Sequence, residues 1–369
     1  MNIDHNKLKY ISGPVVAVLV EGKINNIKKR ILLFGDIHYQ SQQNECTDPD
    51  SVPIKNYLHD LFKKTDKDID FFLEDIKSTQ YKEKYIHGTQ YLFQLRNYFN
   101  DNQNKFKNIR FHFSDIRNEY IEEIENNFIF NEHTFNNIIS ERNISSNDIM
   151  LFNEKISYCQ EILDIMLSLL KNNKVDINSM RGINNNFKKD FIKNIYKIVN
   201  EYNNSITQSK IRSIIKLSTF SLVEDLNKMK KMLSTAENRI KKNKFYSYYE
   251  LDKFVYTFGT IYSKLRFKLI LFFALLTDIY TARRILDKEY INNVITYTGA
   301  KHTMNMTNIF VNYFNFKVIS KFDLNYKIPI DKLYFQKYYT KYNDDPNNNS
   351  ENKLIEQCIN ISKFKKPIF

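Results

Sequence analysis

Over its first 120 residues the chain alternates short apolar runs with segments of helical spacing. Residues 15–20 form an apolar, β-branched run and residues 30–34 a second. Gly22 and Asn25-Asn26 lie between them as turn residues, so the pair predicts a β-hairpin. A loop with Pro49 and Pro53 leads to a helical stretch over 54–64. Ile69-Asp70-Phe71-Phe72-Leu73-Glu74 then reads as a short strand ending in a carboxylate. A helix over about 88–99 and a strand over 109–114 follow, and Asp115-Ile116-Arg117 closes the series. Strands separated by helices of this length predict βαβ units.

From about residue 119 to 288 the period changes. Ile162, Met166, Leu169 and Leu170 recur at spacings of three and four, the signature of one helix face. Asn184 to Asn186 and Asn203-Asn204 mark turns. The strand pattern returns at Val294-Ile295-Thr296-Tyr297, and an apolar run over 316–322 predicts a last strand before a polar loop over 343–352. The expected fold is α/β, with a mostly parallel sheet built from both chain ends and a large α-helical insertion. Residues 1–118 and 291–369 would form the composite α/β domain, and 119–290 the insert.

Composition narrows this picture. A hydrophobic content of 42% over 369 residues suffices for a sizeable core and excludes wholesale disorder. The Asn, Lys, Ile, Tyr and Phe bias, with no Trp and 7 Gly, has the look of an AT-rich coding genome, so lysine and aromatic runs carry little weight by themselves. Cys46, Cys159 and Cys358 are far apart and form no CxxC. Neither a thiolate zinc site nor a disulfide framework is expected, and a reducing compartment fits. Residues 1–10 lack the apolar core of a signal peptide. The strongest apolar run, 269–276, is far shorter than the roughly 20 residues of a membrane span. The expectation is a soluble, intracellular protein without a transmembrane segment. The net charge of +13 is concentrated, with 17 Lys or Arg against 6 Asp or Glu over 171–244. Such a region suits nucleic acid, an anionic membrane or an acidic protein, and equally a solvated helical face.

Four strand ends carry groups suited to chemistry: Asp36 with His38, Glu74, Asp115 with Arg117, and His302. Ligands of an open parallel sheet bind at the carboxyl ends of the strands. Gly35-Asp36-Ile37-His38 and Gly299-Ala300-Lys301-His302 repeat one pattern at opposite ends of the chain and are expected to meet in one site. Their glycines would permit a sharp strand exit and close approach by a substrate. Two imidazoles with Glu74 or Asp36 suit a divalent metal with open positions for water. Without a metal, His38 would serve as general base and Arg117 would stabilise developing negative charge. Each piece also has a plain structural reading: Asp115 and Arg117 as an ion pair, Glu74 as a helix cap, His112 as a packed strand residue, Cys46 as structural.

These motifs resemble the erythromycin-esterase/ChaN-like and TIKI/TraB superfamily, in which paired Gly-x-x-His motifs bracket a helical middle. The resemblance runs through Leu32-Leu33-Phe34-Gly35-Asp36-Ile37-His38, Asp70-Phe71-Phe72-Leu73-Glu74 and Ile295-Thr296-Tyr297-Thr298-Gly299-Ala300-Lys301-His302. The segments 110–117 and 276–284 look like parts of uncharacterised proteins of large nucleocytoplasmic DNA viruses. The resemblance implies a metal-dependent protease or esterase. His38, Glu74 and His302 would be its catalytic and metal-binding set, Asp36 would support them, and Mn, Co or Zn would be the ion. Asp278, Arg283 and Arg284 would line the site, or else form local ion pairs. Asp36 stands where many members have Glu, and Ala300-Lys301 where an acidic residue is usual. The implied function is hydrolysis of an ester or peptide bond, in a host cytoplasm or a virion. The alternatives are a catalytically degenerate virion-associated protein, or a nucleic-acid-binding protein using residues 171–244.

Overall fold

The computed structural model describes residues 8–37, 46–74, 91–116, 138, 140–141, 143–171, 185–242, 244, 246–323, 357–362 and 364. The chain divides into two compact units, residues 1–115 with 277–369, and residues 116–276.

The first unit holds nine strands among its described residues: β1 (Tyr10–Ser12), β2 (Val16–Ile24), β3 (Ile27–Asp36), β4 (Val52–Pro53), β5 (Ile69–Leu73), β6 (Ile109–Phe113), β7 (Asn293–Gly299), β8 (Lys317–Asp323) and β9 (Cys358–Asn360). Six form one sheet in the order β6-β5-β7-β3-β2-β8, and β4-β1-β9 form a second. The four strands β6, β5, β7 and β3 run parallel, whereas β2 pairs antiparallel with both β3 and β8. The fold is α/β as expected, but both sheets are mixed. In the larger sheet the physical reason is the hairpin β2–β3. Asn25 and Asn26 both adopt positive φ, as a two-residue turn requires, so the chain returns beside itself without a crossover. Strand β8, the last of this sheet in chain order, then adds to the outer side of β2.

Helices α1 (Ile54–Lys64) and α2 (Tyr91–Asn102) cover one face. Alternation along β5 turns Ile69, Phe71 and Leu73 toward them, where Phe62, Phe71, Phe99 and Phe111 pack edge to face. The same alternation turns Asp70, Phe72 and Glu74 to the other face. That polar face, lying within a buried sheet, positions the candidate site.

The second unit is helical: α3 (Ser146–Leu170), α4 (Asn185–Asn200), α5 (Ser205–Lys241) and the greater part of α6 (Tyr248–Asp287). Ser145 and Asp148 form a capping box at the start of α3, and Asn204 caps α5 through the Thr207 amide. Ile162, Met166 and Leu169 are buried on α3, and Phe152 packs on Phe258 with ring centroids 4.8 Å apart. The final turns of α6, from Thr277, belong to the first unit, as does α7 (Ala300–Asn308).

The buried side chain of Lys29, in β3, donates to the carbonyls of Lys288 at 2.8 Å and Ile291 at 2.6 Å, just past the end of α6. Burial pushes its ammonium down to about 8. No helix of the described residues is long and apolar enough to cross a membrane.

Cys46 and Cys358 form a disulfide across 312 residues, so the expectation of unpaired cysteines is corrected. Separation in sequence carries no information about a contact made only when β9 joins β1. The argument for a reducing compartment loses that support. Cys159 is free and buried, and burial raises its thiol to about 12. A cross-link closing so long a loop restricts the unfolded chain strongly. Reduction, or Cys358→Ser, is expected to lower unfolding free energy by about 2–5 kcal/mol in urea titrations. Equal midpoints with and without reductant would contradict the bond.

Candidate functional site

The Gly299-Ala300-Lys301-His302 motif is where a strand becomes a helix. Gly299 ends β7 and is the N-cap of α7, which places His302 on the first turn of that helix. The ring is buried and held on both sides. Nδ1 lies 2.6 Å from Asp278 Oδ1, and Nε2 lies 3.2 Å from Glu74 Oε1. Glu74 comes from the end of β5, the strand hydrogen-bonded to β7, and its amide donates to the Tyr297 carbonyl at 3.0 Å. Its second oxygen, Oε2, accepts the Gly299 amide at 2.6 Å. That N–H opens α7, so the helix dipole also favours the carboxylate there.

Asp278 approaches from α6. Its other oxygen, Oδ2, accepts from Asn305 Nδ2 at 3.0 Å, and Asn305 lies one turn beyond His302 on α7. Burial raises the Asp278 carboxyl above its ordinary range and the nearby Glu74 adds to this, while His302 and Asn305 oppose the shift. An imidazole between two carboxylates gives each nitrogen a defined partner. Nδ1 donates to Asp278 and Nε2 faces Glu74, so a ring protonated on both nitrogens would serve both carboxylates, and a cation at Nε2 and Glu74 would take the place of the second proton.

The Gly35 motif contributes differently from what its sequence suggests. A Cβ on Gly35 would lie 2.7 Å from the Ala300 Cα, the Thr303 Oγ1 and a Val16 methyl. The close approach this glycine permits is therefore that of α7 itself, not of a substrate. Thr303 completes the seam, donating to the Phe34 carbonyl at 3.0 Å and lying 2.9 Å from the Thr298 hydroxyl. Asp36, one residue on, follows Phe34 toward α1 and α2. Burial and the Asp36 charge together hold the Tyr297 phenol well above its usual range there. Asp36 thus belongs to the opposite face of the sheet from Glu74 and Asp278. His38 and Arg117 lie outside the described residues, and Asp115 is half-buried two residues beyond β6.

Asp278 and Arg284 make no ion pair with each other. Asp278 meets His302, whereas Arg284 Nη2 lies 2.7 Å from His112 Nδ1, and Arg283 is buried separately. The neighbouring cluster was not foreseen as a unit. Asp70 is fully buried and accepts two bonds from Arg110, at 2.8 and 2.6 Å, and one from His112 Nε2 at 2.7 Å. Burial would raise the Asp70 carboxyl, but those bonds outweigh it and hold the group below its ordinary range. The usable signal was alternation: Arg110 and His112 are separated by Phe111, so they share one face of β6 beside Asp70 on β5. Asn305 was also missed, although it sits three residues after His302 on one helix face.

Glu74 and His302 offer adjacent metal-ligating atoms, with Asp278 behind the ring; no group of three or more ligating side chains occurs among the described residues. Gly35→Ala is expected to force α7 off β3, at a cost of about 1–3 kcal/mol in thermal or urea unfolding. It should also weaken any activity that depends on His302. Unchanged stability would show that the seam is looser than described.

Residues 9–368 match the sequence profile of a family of unknown function, DUF5847. The chain is similar to three proteins of Acanthamoeba polyphaga mimivirus. It is 29% identical to uncharacterized protein R706, over 84% of this chain and 86% of that one. It is 28% identical to R160, over 88% and 90%, and 30% identical to R161, over 96% and 97%. No solved structure matches. The resemblance to the erythromycin-esterase/ChaN-like and TIKI/TraB superfamily is overturned by these matches: nearly the whole chain is accounted for by a different family. The viral likeness of the segments 110–117 and 276–284 is in keeping with the relatives found. A Gly-x-x-His after an apolar strand is short enough to recur without common descent.

Proposed function

The chain belongs to this family of unknown function, and from the site itself we propose a hydrolase that cleaves an ester or peptide bond with the help of a divalent cation. The observation that carries this reading is the buried line Asp278–His302–Glu74 at the carboxyl end of the parallel strands. His302 Nε2 and Glu74 Oε1, 3.2 Å apart, are spaced as neighbouring ligands of one ion bound at roughly 2 Å would be. Asp278 supplies the carboxylate that such a histidine requires behind it. The donor set of one nitrogen and one carboxylate oxygen suits Mn, Co or Zn. His38 is the sequence's candidate for a further ligand and lies outside the described residues.

A bound cation would supply a water acidic enough to attack near neutral pH. The chain's own residues do the rest. Asp278 keeps the proton on Nδ1, so the Nε2 lone pair would be free for the cation beside Glu74. Gly299 ties down Glu74 Oε2, so only Oε1 is offered there. The packed seam around Thr303 holds α7 and, with it, the ring.

Two measurements on purified protein test this. Elemental analysis is expected to find about one divalent ion per chain, lost in His302→Ala. Hydrolysis of p-nitrophenyl acetate is expected to fall on the order of 10²–10⁴-fold in kcat/KM in Glu74→Gln. A metal content that His302→Ala leaves intact, or hydrolysis indifferent to Glu74, would sink the proposal.

A further inference from the structure

Beside the line Asp278–His302–Glu74 lies a cation whose charge the fold leaves unbalanced. Asp70 and Arg110 form a two-pronged pair and cancel. Arg284 is always a donor, so its Nη2–H is given to His112 Nδ1 at 2.7 Å. The remaining proton of that ring therefore sits on Nε2 and is donated to Asp70. His112 thus bridges Arg284 to Asp70 through its two nitrogens, and the guanidinium of Arg284 itself meets no carboxylate among the described residues.

The surroundings of Arg284 are apolar and aromatic. Its guanidinium lies 5.2 Å from the Phe72 ring centroid and 5.6 Å from that of Tyr280. Phe72 is stacked on His112 with centroids 4.5 Å apart, which fixes the plate under the cation. The side chain is half-buried, so its attraction for an anion is screened less than on an open surface. Its position along the sheet matters as well. Arg284 Nη1 reaches the Phe113 carbonyl at 3.4 Å, and Phe113 pairs with Leu73, the residue before Glu74. The cation and the Glu74–His302 pair therefore stand at the same end of neighbouring strands. The bonds to His112 and Phe113 leave guanidinium donors to spare, in the planar fork that fits carboxylate and phosphate oxygens.

We propose that Arg284 binds an anionic group, a carboxylate or a phosphate, carried by the molecule that the Glu74–His302 site acts on. That this anion is part of a substrate rests on the hydrolase reading; the binding of an anion by Arg284 does not. The substrate class is then an ester or amide with an acidic group several atoms from the bond to be cleaved. His112 and Phe72 are positioning residues for Arg284.

The test is titration calorimetry at low salt with monoethyl succinate and with ethyl phosphate, on the wild-type chain, Arg284→Gln and Arg284→Lys, each checked for folding by circular dichroism. The wild type should bind at least one probe, and the tighter one identifies the anion. Kd should rise about tenfold or more in Arg284→Gln and by less in Arg284→Lys, which keeps the charge but loses the fork. Binding of neither probe by the wild type, or equal binding by Arg284→Gln, overturns the inference. Hydrolysis of monoethyl succinate is followed in the same samples. Arg284-dependent binding without hydrolysis would keep the anion site and count against the hydrolase. Hydrolysis without Arg284-dependent binding would remove the anion site alone.

Discussion

Glu74 and Asp278 are both buried, and one imidazole stands between them. Removing a carboxylate from water costs several kcal/mol, and two near one another also repel. The fold meets this constraint with hydrogen bonds of fixed direction: Gly299 to one oxygen of Glu74, Asn305 to one of Asp278, and His302 facing both. Every one of these donors comes from the last residue of β7 or from α7. The acidic pair can stay buried only while α7 sits tightly on the sheet, and Gly35 is the residue that lets it.

The same face of the sheet solves a second problem of the same kind. Asp70, two residues before Phe72 and four before Glu74 on β5, is neutralised by Arg110 from the neighbouring strand and steadied by His112. The end of α6 runs past both clusters, giving Asp278 to one and Arg284 to the other. One strand, β5, and one helix, α6, thus connect a buried acid–histidine pair to a half-buried cation. This coupling is why the Asp70 ion cluster and the Glu74–His302–Asp278 group lie side by side.

Much of the α/β framework was legible in the sequence, because period-two runs such as 69–73 and the turn at Asn25-Asn26 are local signals. The pairing of both Gly-x-x-His segments was half legible: β3 and β7 are indeed neighbours, with Gly35 opposite Thr298 and Asp36 opposite Gly299. What the pattern could not show is which way each side chain points at a strand end. Asp36 and Glu74 look equivalent as acids after apolar runs, yet alternation sends them to opposite faces. Glu74 and Asp278 are both candidates from the sequence, but Asp278 only under one of two readings, the other a local ion pair, since it is twenty-four residues from His302 on a helix of nearly uniform hydrophobicity. The disulfide and the addition of β8 beside β2 depend on contacts between distant segments and left no local trace. The family resemblance failed for a related reason: a four-residue motif describes a local turn, not a lineage.

The most direct test is the protonation of the His302 ring, read by NMR on the full chain with ¹⁵N-labelled histidine, using His302→Gln to assign the signal. The expected result is a proton on Nδ1, held by Asp278 and slow to exchange with water. Nδ1 should remain protonated near neutral pH whether or not a cation is bound. A ring protonated at Nε2 alone, or one exchanging freely with solvent, would show that Asp278 does not hold the imidazole and would contradict the site as described.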